Sequence, residues 1–368
     1  MKLRNTALAV LTATAAALCC QRAACAASSG PGDAAAGVPA TELPAATVKA
    51  AAPPVHAVPP GKDAPEPAPG PARFKVLAYL RSISGKKTVA GQHNREPNSD
   101  PARWTEKIFA ATGKYPGLWS GDFLFQPENI AARRTLVYEA EKQWKKGAIV
   151  QLMWHSCSPA LAEPCGWDKN GLLSRLTDEQ WAQLTTDGTE LNGRWKQRMD
   201  QIAVYLQYLE DKGVEVVFRP LHEMNQGLFW WGGRPGPAGT RKLFRLTHDY
   251  FTLTKGLTNL IWVWDVQDLG RDLEQYDPGP AYSDILAFDI YADGYAPKWY
   301  NYILGLAGGR PVAIGECGKL PTAQLLREQP RWVFFMAWAE LAFTKNTLPQ
   351  LKELYGAENI VTLERLKK

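Results

Sequence analysis

Two glutamates stand in apolar surroundings that suit catalytic carboxyls: Glu223 in Arg219-Pro220-Leu221-His222-Glu223-Met224-Asn225 and Glu316 in Ala313-Ile314-Gly315-Glu316-Cys317-Gly318. Such a pair fits glycosidic-bond hydrolysis. One protonated carboxyl assists the leaving oxygen, and one ionised carboxylate attacks the anomeric carbon or activates water. Either glutamate alone could be a structural ion-pair partner; two in matching settings point to chemistry. Trp119, Trp230, Trp231, Trp264 and Trp338 offer flat apolar faces for pyranose rings, and Trp167 could reach an outer sugar. The rings of Phe229, Trp230 and Trp231 would raise the proton affinity of Glu223 by desolvation, and Arg219 near Glu316 would favour its ionised form. His93, His155 and His222 could instead hold a metal. Barrel sites of that kind open on two histidines one residue apart, and Gln92-His93-Asn94 lacks them. No cofactor is expected.

Carboxyls so distant in sequence need a scaffold that returns both to one face. Eight short apolar runs are spaced along the chain, at 88–91, 117–120, 148–154, 214–219, 260–264, 285–290, 312–315 and 333–338. Between the third and fourth, Trp195, Met199, Ile202, Leu206 and Leu209 recur at helical spacing until Gly213. Strands alternating with helices predict a (β/α)8 barrel, which carries its active site at the C-terminal ends of the strands. Those ends bear Gln92-His93, Asp122, Trp154-His155, His222-Glu223, Trp264-Asp265, Asp289 with Tyr291, Glu316 and Trp338. A doubly wound open sheet also alternates strands and helices. It normally carries a Gly-rich phosphate turn after its first strand, and Gly91-Gln92-His93-Asn94 is not one. Strands four and seven face each other across an eight-stranded barrel, which sets Glu223 opposite Glu316. The stretch 155–192 is long for a βα connection and should form an elaborated loop at the mouth.

The chain opens with Lys2 and Arg4, a short apolar run and Ala24-Cys25-Ala26, the pattern of an export signal over 1–26. A lipidated Cys19 or Cys20 is the less favoured alternative, because Ala17-Leu18 is not the usual small pair before such a cysteine. Residues 27–71, rich in Ala, Pro and Gly, form a disordered tether by composition, leaving a catalytic domain over 72–368. Loss of 1–26 lowers the formal charge from +5 to +2, and nothing in the remainder favours nucleic acid. No later run reaches the roughly 18 apolar residues of a membrane span. A secreted or periplasmic monomer is expected. Cys157 and Cys165 could pair in an oxidising compartment, with Cys317 left over.

The segment 219–232, His-Glu-Met-Asn followed by an aromatic run and Gly, resembles the acid/base motif of glycoside hydrolase family 26, and the strand ending in Glu316 resembles that family's nucleophile strand. The resemblance runs from about Phe74 to Thr362. It implies Glu223 as acid/base and Glu316 as nucleophile. It also implies His155 and His222 as contacts to the sugar that is cleaved, Tyr291 as hydrogen-bond donor to the nucleophile, and Trp338 as the floor of that subsite. The implied activity is retaining endo-β-1,4-mannan hydrolysis on a polysaccharide substrate. The alternatives are a β-1,3-xylanase, a mixed-linkage β-glucanase, an exo-acting enzyme, or a non-catalytic carbohydrate-binding barrel. One departure is that Gln226-Gly227 stands where the family commonly has Gly followed by a polar residue, which bears on contacts to the leaving-group sugar.

Overall fold

The computed structural model describes residues 74–268 and 271–366; the expected export signal (1–26) and tether (27–71) lie outside the described residues. Each apolar run forms a strand: β1 (Thr88–His93), β2 (Leu118–Phe123), β3 (Ile149–Trp154), β4 (Val216–Pro220), β5 (Leu260–Gln267), β6 (Ile285–Ile290), β7 (Val312–Cys317) and β8 (Trp332–Ala337). They pair in parallel in chain order, and β1 meets both β8 and β2. The sheet is therefore closed, a (β/α)8 barrel rather than an open doubly wound sheet. A ninth short strand, β9 (Ile360–Val361), was not expected. It pairs with Thr88 and Val89, whereas β1 meets β2 only from Gly91 onward, so β9 covers the part of β1 that β2 leaves unpaired.

Parallel strands buried on both faces read as nearly continuous apolar runs, and here the two faces fill separate layers. Ile149, Met153, Val217, Ile261, Val263 and Ala287 pack inside the barrel. Their neighbours Val150, Leu152, Phe218, Trp262, Trp264 and Phe288 pack outward beneath the helices. The same alternation turns Arg219, Asp265, Gln267 and Asp289 toward the barrel axis near its C-terminal mouth.

The periodic segment from Trp195 to Leu209 lies in a helix, Glu190–Asp211. The helix begins earlier than the apolar pattern because the Thr189 hydroxyl accepts the Asn192 backbone N–H at 3.4 Å and caps the first turn. All five periodic residues are buried, each contributing roughly 1.5 to 3 kcal/mol by area. Gly213, at φ 68°, ends the run.

A local irregularity matters most for function. On β7, Ile314 pairs with Phe288 and Phe335, yet the next paired residue, Cys317, meets Ile290 and Ala337. Between those pairings β7 contains one residue more than either neighbour. This bulge holds Gly315 and Glu316, and it turns Glu316 inward where strict alternation from Ala313 would point it outward.

The long stretch after β3 is closed at its base by a Cys157–Cys165 disulfide, with Cα atoms 5.9 Å apart, and carries the helix Asp178–Leu184. Cys317 is unpaired and buried.

Candidate active site

Glu223 sits on a sharp turn leaving β4. Both Leu221 (φ 52°) and Glu223 (φ 51°) adopt the left-handed conformation, which costs a non-glycine residue about 1 to 3 kcal/mol. The turn is tied from several sides. The Glu223 N–H donates to Asp265 Oδ1 at 2.8 Å, and the Trp231 indole donates to the His222 carbonyl at 2.8 Å. The Glu223 carboxyl accepts from Gln267 Nε2 at Oε1 (2.8 Å) and from Gln226 Nε2 at Oε2.

Glu316, presented by the β7 bulge, has different partners. Its Oε1 accepts from Arg219 Nη1 and Nη2, each at 2.7 Å, and its Oε2 accepts from the Tyr291 hydroxyl at 2.7 Å. Arg219 is fully buried and also donates to Asp265 at 2.9 Å and Asp289 at 2.5 Å. Position 315 must be glycine for this packing, because a Cβ there would fall 2.4 Å from Asp289 Oδ1 and 2.6 Å from Asp265 Oδ2. Tyr291 is placed by Asp268, whose carboxylate accepts the backbone N–H groups of Tyr291, Ala292 and Gly294 at 3.2, 2.8 and 2.9 Å.

Glu223, Asp289 and Glu316 each bring a carboxylate oxygen within 4.8 Å of the others. With Asp265, four buried acids stand around one guanidinium, and burial raises the proton affinity of Glu223, Asp289 and Glu316. Burial, followed by repulsion from Glu316 and Asp265, holds Glu223 well above the usual carboxyl range. Burial also raises Glu316, but Arg219 and the Tyr291 hydroxyl counter it. The proton shared by this pair therefore resides on Glu223 and the charge on Glu316. Burial first, and then the Glu316 charge, push the Tyr291 phenol well upward, so it remains a donor.

A second wall contains histidines. His155 Nδ1 lies 2.6 Å from Asp122 Oδ2, and the His155 N–H donates to Asp122 Oδ1 at 3.2 Å. Burial alone would raise Asp122; His155 and then His93 bring it below its ordinary value. Burial keeps His222 neutral and drives His93 down to about 3. His222 meets His155 edge-on at 4.5 Å, and His93 stacks on half-buried Trp338 at 4.3 Å and 19°. His93 and His155 both turn toward Asp122 instead of joining a three-histidine donor set. Among the described residues, the acid group with metal-ligand spacing is Glu223, Asp289 and Glu316, and two of its three members already accept from Arg219.

The structure thus gathers Glu223, Glu316, His155, His222, Tyr291 and Trp338 at one mouth, with Trp167 at its edge, 5.8 Å from the His155 ring. Other expected platforms do not face the mouth. Trp119 is fully buried in the layer outside the strands, its indole donating to the Pro101 carbonyl at 2.9 Å. Trp264 is likewise buried outward. Trp230 donates to the Ser156 carbonyl at 2.8 Å and packs edge-on to Trp195 at 5.4 Å. Trp231 is fully buried and stacks on Phe229 at 4.5 Å. Trp230 and Trp231 brace the turn behind His222, and a sugar cannot stack on a face that protein already covers. Gln267 lies beyond the fifth apolar run, which ends at Trp264; the strand continues, and inward alternation through Ile261, Val263 and Asp265 reaches Gln267 three residues later. In the sequence Gln226 stands out only as a departure from the family motif, and Asp268 carries no signal, because its role depends on the backbone turn at Tyr291 to Gly294.

Residues 66–364 match the model of glycosyl hydrolase family 26. The chain is 32% identical over 312 residues to a mannan endo-1,4-beta-mannosidase of Thermothelomyces thermophilus, a match covering 78% of this chain and 60% of that protein. It therefore spans less than two thirds of that relative's length. Among solved structures, GH26A from Muricauda sp. superposes with a TM-score of 0.77 at 36% identity, covering 82% of this chain and 99% of that one. The Podospora anserina GH26-CBM35 beta-(1,4)-mannanase superposes at 0.68 with 31% identity, covering 82% and 68%.

Proposed function

The chain belongs to glycosyl hydrolase family 26, and from that premise we propose that it is an endo-acting β-1,4-mannanase working with retention of anomeric configuration, with Glu316 as nucleophile and Glu223 as acid/base. The observation that carries this reading is the pair of carboxyls with oxygens within 4.8 Å and opposite surroundings. A covalent, retaining route needs carboxyls roughly 5 to 5.5 Å apart, whereas an inverting route needs roughly 6.5 to 9.5 Å to admit water between them. Glu316, held by Arg219 and Tyr291, is the ionised partner; Glu223, buried and held by the Gln226 and Gln267 amides, is the proton donor. The names of the relatives support mannan as substrate. His155, His222 and Trp338 line the same mouth and are assigned to the sugar whose bond is cleaved, with Trp167 further out. Export remains part of the proposal. The Cys157–Cys165 bond supports it, since disulfides persist in oxidising compartments. No helix among the described residues is long and apolar enough to cross a membrane.

The test is release of sugar from β-1,4-mannan, β-1,3-xylan and lichenan by the same preparation. Mannan is expected to be degraded at least tenfold faster than the others, with an early fall in viscosity and a ladder of oligosaccharides. Faster release from xylan or lichenan overturns the substrate assignment, and release of a single small product from the outset overturns endo action.

Tyr291→Phe tests the role of the phenol. The hydroxyl favours the ionised form of Glu316, so its loss raises that group's proton affinity and moves the acidic limb of kcat/KM to higher pH. A hydrogen bond to a charged group contributes about 1.5 to 3 kcal/mol, which corresponds to a loss of roughly 10- to 100-fold. An unmoved acidic limb would remove Tyr291 from this role.

A further inference from the structure

The Glu223 carboxyl is held by two amides that differ in how they are anchored. Gln267 is 5% exposed and built into the end of β5: its backbone N–H donates to Asn225 Oδ1 at 2.7 Å and its carbonyl accepts from Asn225 Nδ2 at 2.8 Å. Gln226 is half-buried at the rim. Its own N–H donates to the Glu223 carbonyl at 3.2 Å, a tight turn that folds its side chain back onto Glu223 Oε2. The next residue, Gly227, leaves room for the Arg175 guanidinium, which a Cβ there would approach to 3.0 Å. Gln226 therefore lies between the acid/base carboxyl and the solvent side of the groove.

We propose that Gln226 is a positioning residue for Glu223: donating to Oε2 from the rim side, it fixes the rotation of the carboxyl and stabilises its ionised state during the hydrolytic half of the reaction. The proposal rests on the reading of Glu223 as acid/base. In the first half, the Glu223 proton passes to the glycosidic oxygen as the bond from Glu316 to the anomeric carbon forms and the bond to the leaving sugar breaks. The Glu223 carboxylate left behind then has a neutral amide donor on each oxygen. In the second half, water attacks the anomeric carbon, its proton returns to Glu223, and the ester to Glu316 breaks.

The surroundings give Gln226 a distinct task. Burial, Glu316 on β7 and Asp265 on β5 all disfavour charge on Glu223, while Arg219 on β4 and the Gln226 amide favour it. Asp289 on β6 and the Tyr291 phenol also face this carboxyl. Arg219, though, spends its donors on Asp265, Asp289 and Glu316. Gln226 is thus a direct donor to the anion that substitution can remove without disturbing that buried cluster.

The test is the pH profile of kcat/KM on a manno-oligosaccharide for the parent, Gln226→Ala, Gln226→Glu and Glu223→Ala. Without the amide, Glu223 keeps its proton to higher pH, so the alkaline limb of Gln226→Ala should move upward by roughly half a unit or more. Gln226→Glu, which places a like charge beside Glu223, should move it further. With an aryl β-mannobioside whose good leaving group makes hydrolysis of the covalent intermediate limiting, kcat of Gln226→Ala should fall about tenfold, because the base is less well held. A uniform loss at every pH, with the alkaline limb in place, would mean that Gln226 only supports the turn and overturns the proposal. Glu223→Ala separates this from failure of the underlying reading. If it retains the alkaline limb, Glu223 is not the acid; if it abolishes the limb while Gln226→Ala leaves the limb unmoved, only the role of Gln226 falls.

Discussion

Glu316→Ala should abolish the proposed mannan turnover, with kcat reduced on the order of 10⁴-fold or more, as expected when the group that forms the covalent intermediate is removed. The loss should occur without loss of fold. Arg219 neutralises only part of the surrounding negative charge, and Glu316 is one of its three ion-pair partners. Its removal leaves Arg219 with Asp265 and Asp289, a smaller excess of buried negative charge, so the melting temperature should hold or rise. That pattern, dead but at least as stable, marks a group kept for chemistry at a cost in stability. Azide, small enough to occupy the vacated space, should restore turnover of a substrate with a good leaving group and yield an α-glycosyl azide by direct displacement. A variant retaining more than about one hundredth of parent activity would show that Glu316 is not the nucleophile.

Glu223→Ala gives the complementary result. General acid assistance contributes about 10²- to 10⁴-fold, and the loss should approach the upper figure for mannan, whose leaving sugar needs a proton. An aryl glycoside with a good leaving group needs none, so its covalent intermediate should form at near-parent rate and then accumulate. Azide should release that intermediate as a β-glycosyl azide, two inversions giving net retention; an α product would overturn the retaining assignment. The sign of the pH effect follows from the surroundings. Burial, Glu316 and Asp265 raise the proton affinity of Glu223, so the parent's alkaline limb lies above the usual carboxyl range, and Glu223→Ala should lack that limb. Once Glu316 is esterified its charge is gone and one source of repulsion disappears. Glu223 then gives up its proton more readily, which is what a base in the second step requires.

The strands were legible because burial on both faces leaves unbroken apolar runs, and Glu223 because its motif spans a continuous stretch. Glu316 was legible as a strand end, but its inward orientation was not. It depends on a one-residue bulge on β7, which appears only in pairing with β6 and β8. The tryptophans show where residue type stops being informative. Trp119 and Trp264 differ from inward residues only in strand parity, and Trp230 and Trp231 are buried by a turn that requires positive φ at Leu221 and Glu223. Non-glycine residues seldom adopt that conformation, so no local propensity announces it. Strand β9 escaped because Ile360 and Val361 form too short a run to read as a strand; it exists through its pairing with β1.

That last pairing bears on how the chain folds in time. Strand β1, the first of the barrel, is completed only by residues near the far end of the described chain. During synthesis, β1 emerges long before its last partner does. Until Ile360 and Val361 arrive, the amino-terminal half of β1 presents unpaired backbone groups along a sheet edge, the kind of surface on which chains associate wrongly. Docking of β9 is thus a late, long-range step, and shortening the chain before residue 360 would leave the barrel closed through β2 and β8 but Thr88 and Val89 without the strand that covers them.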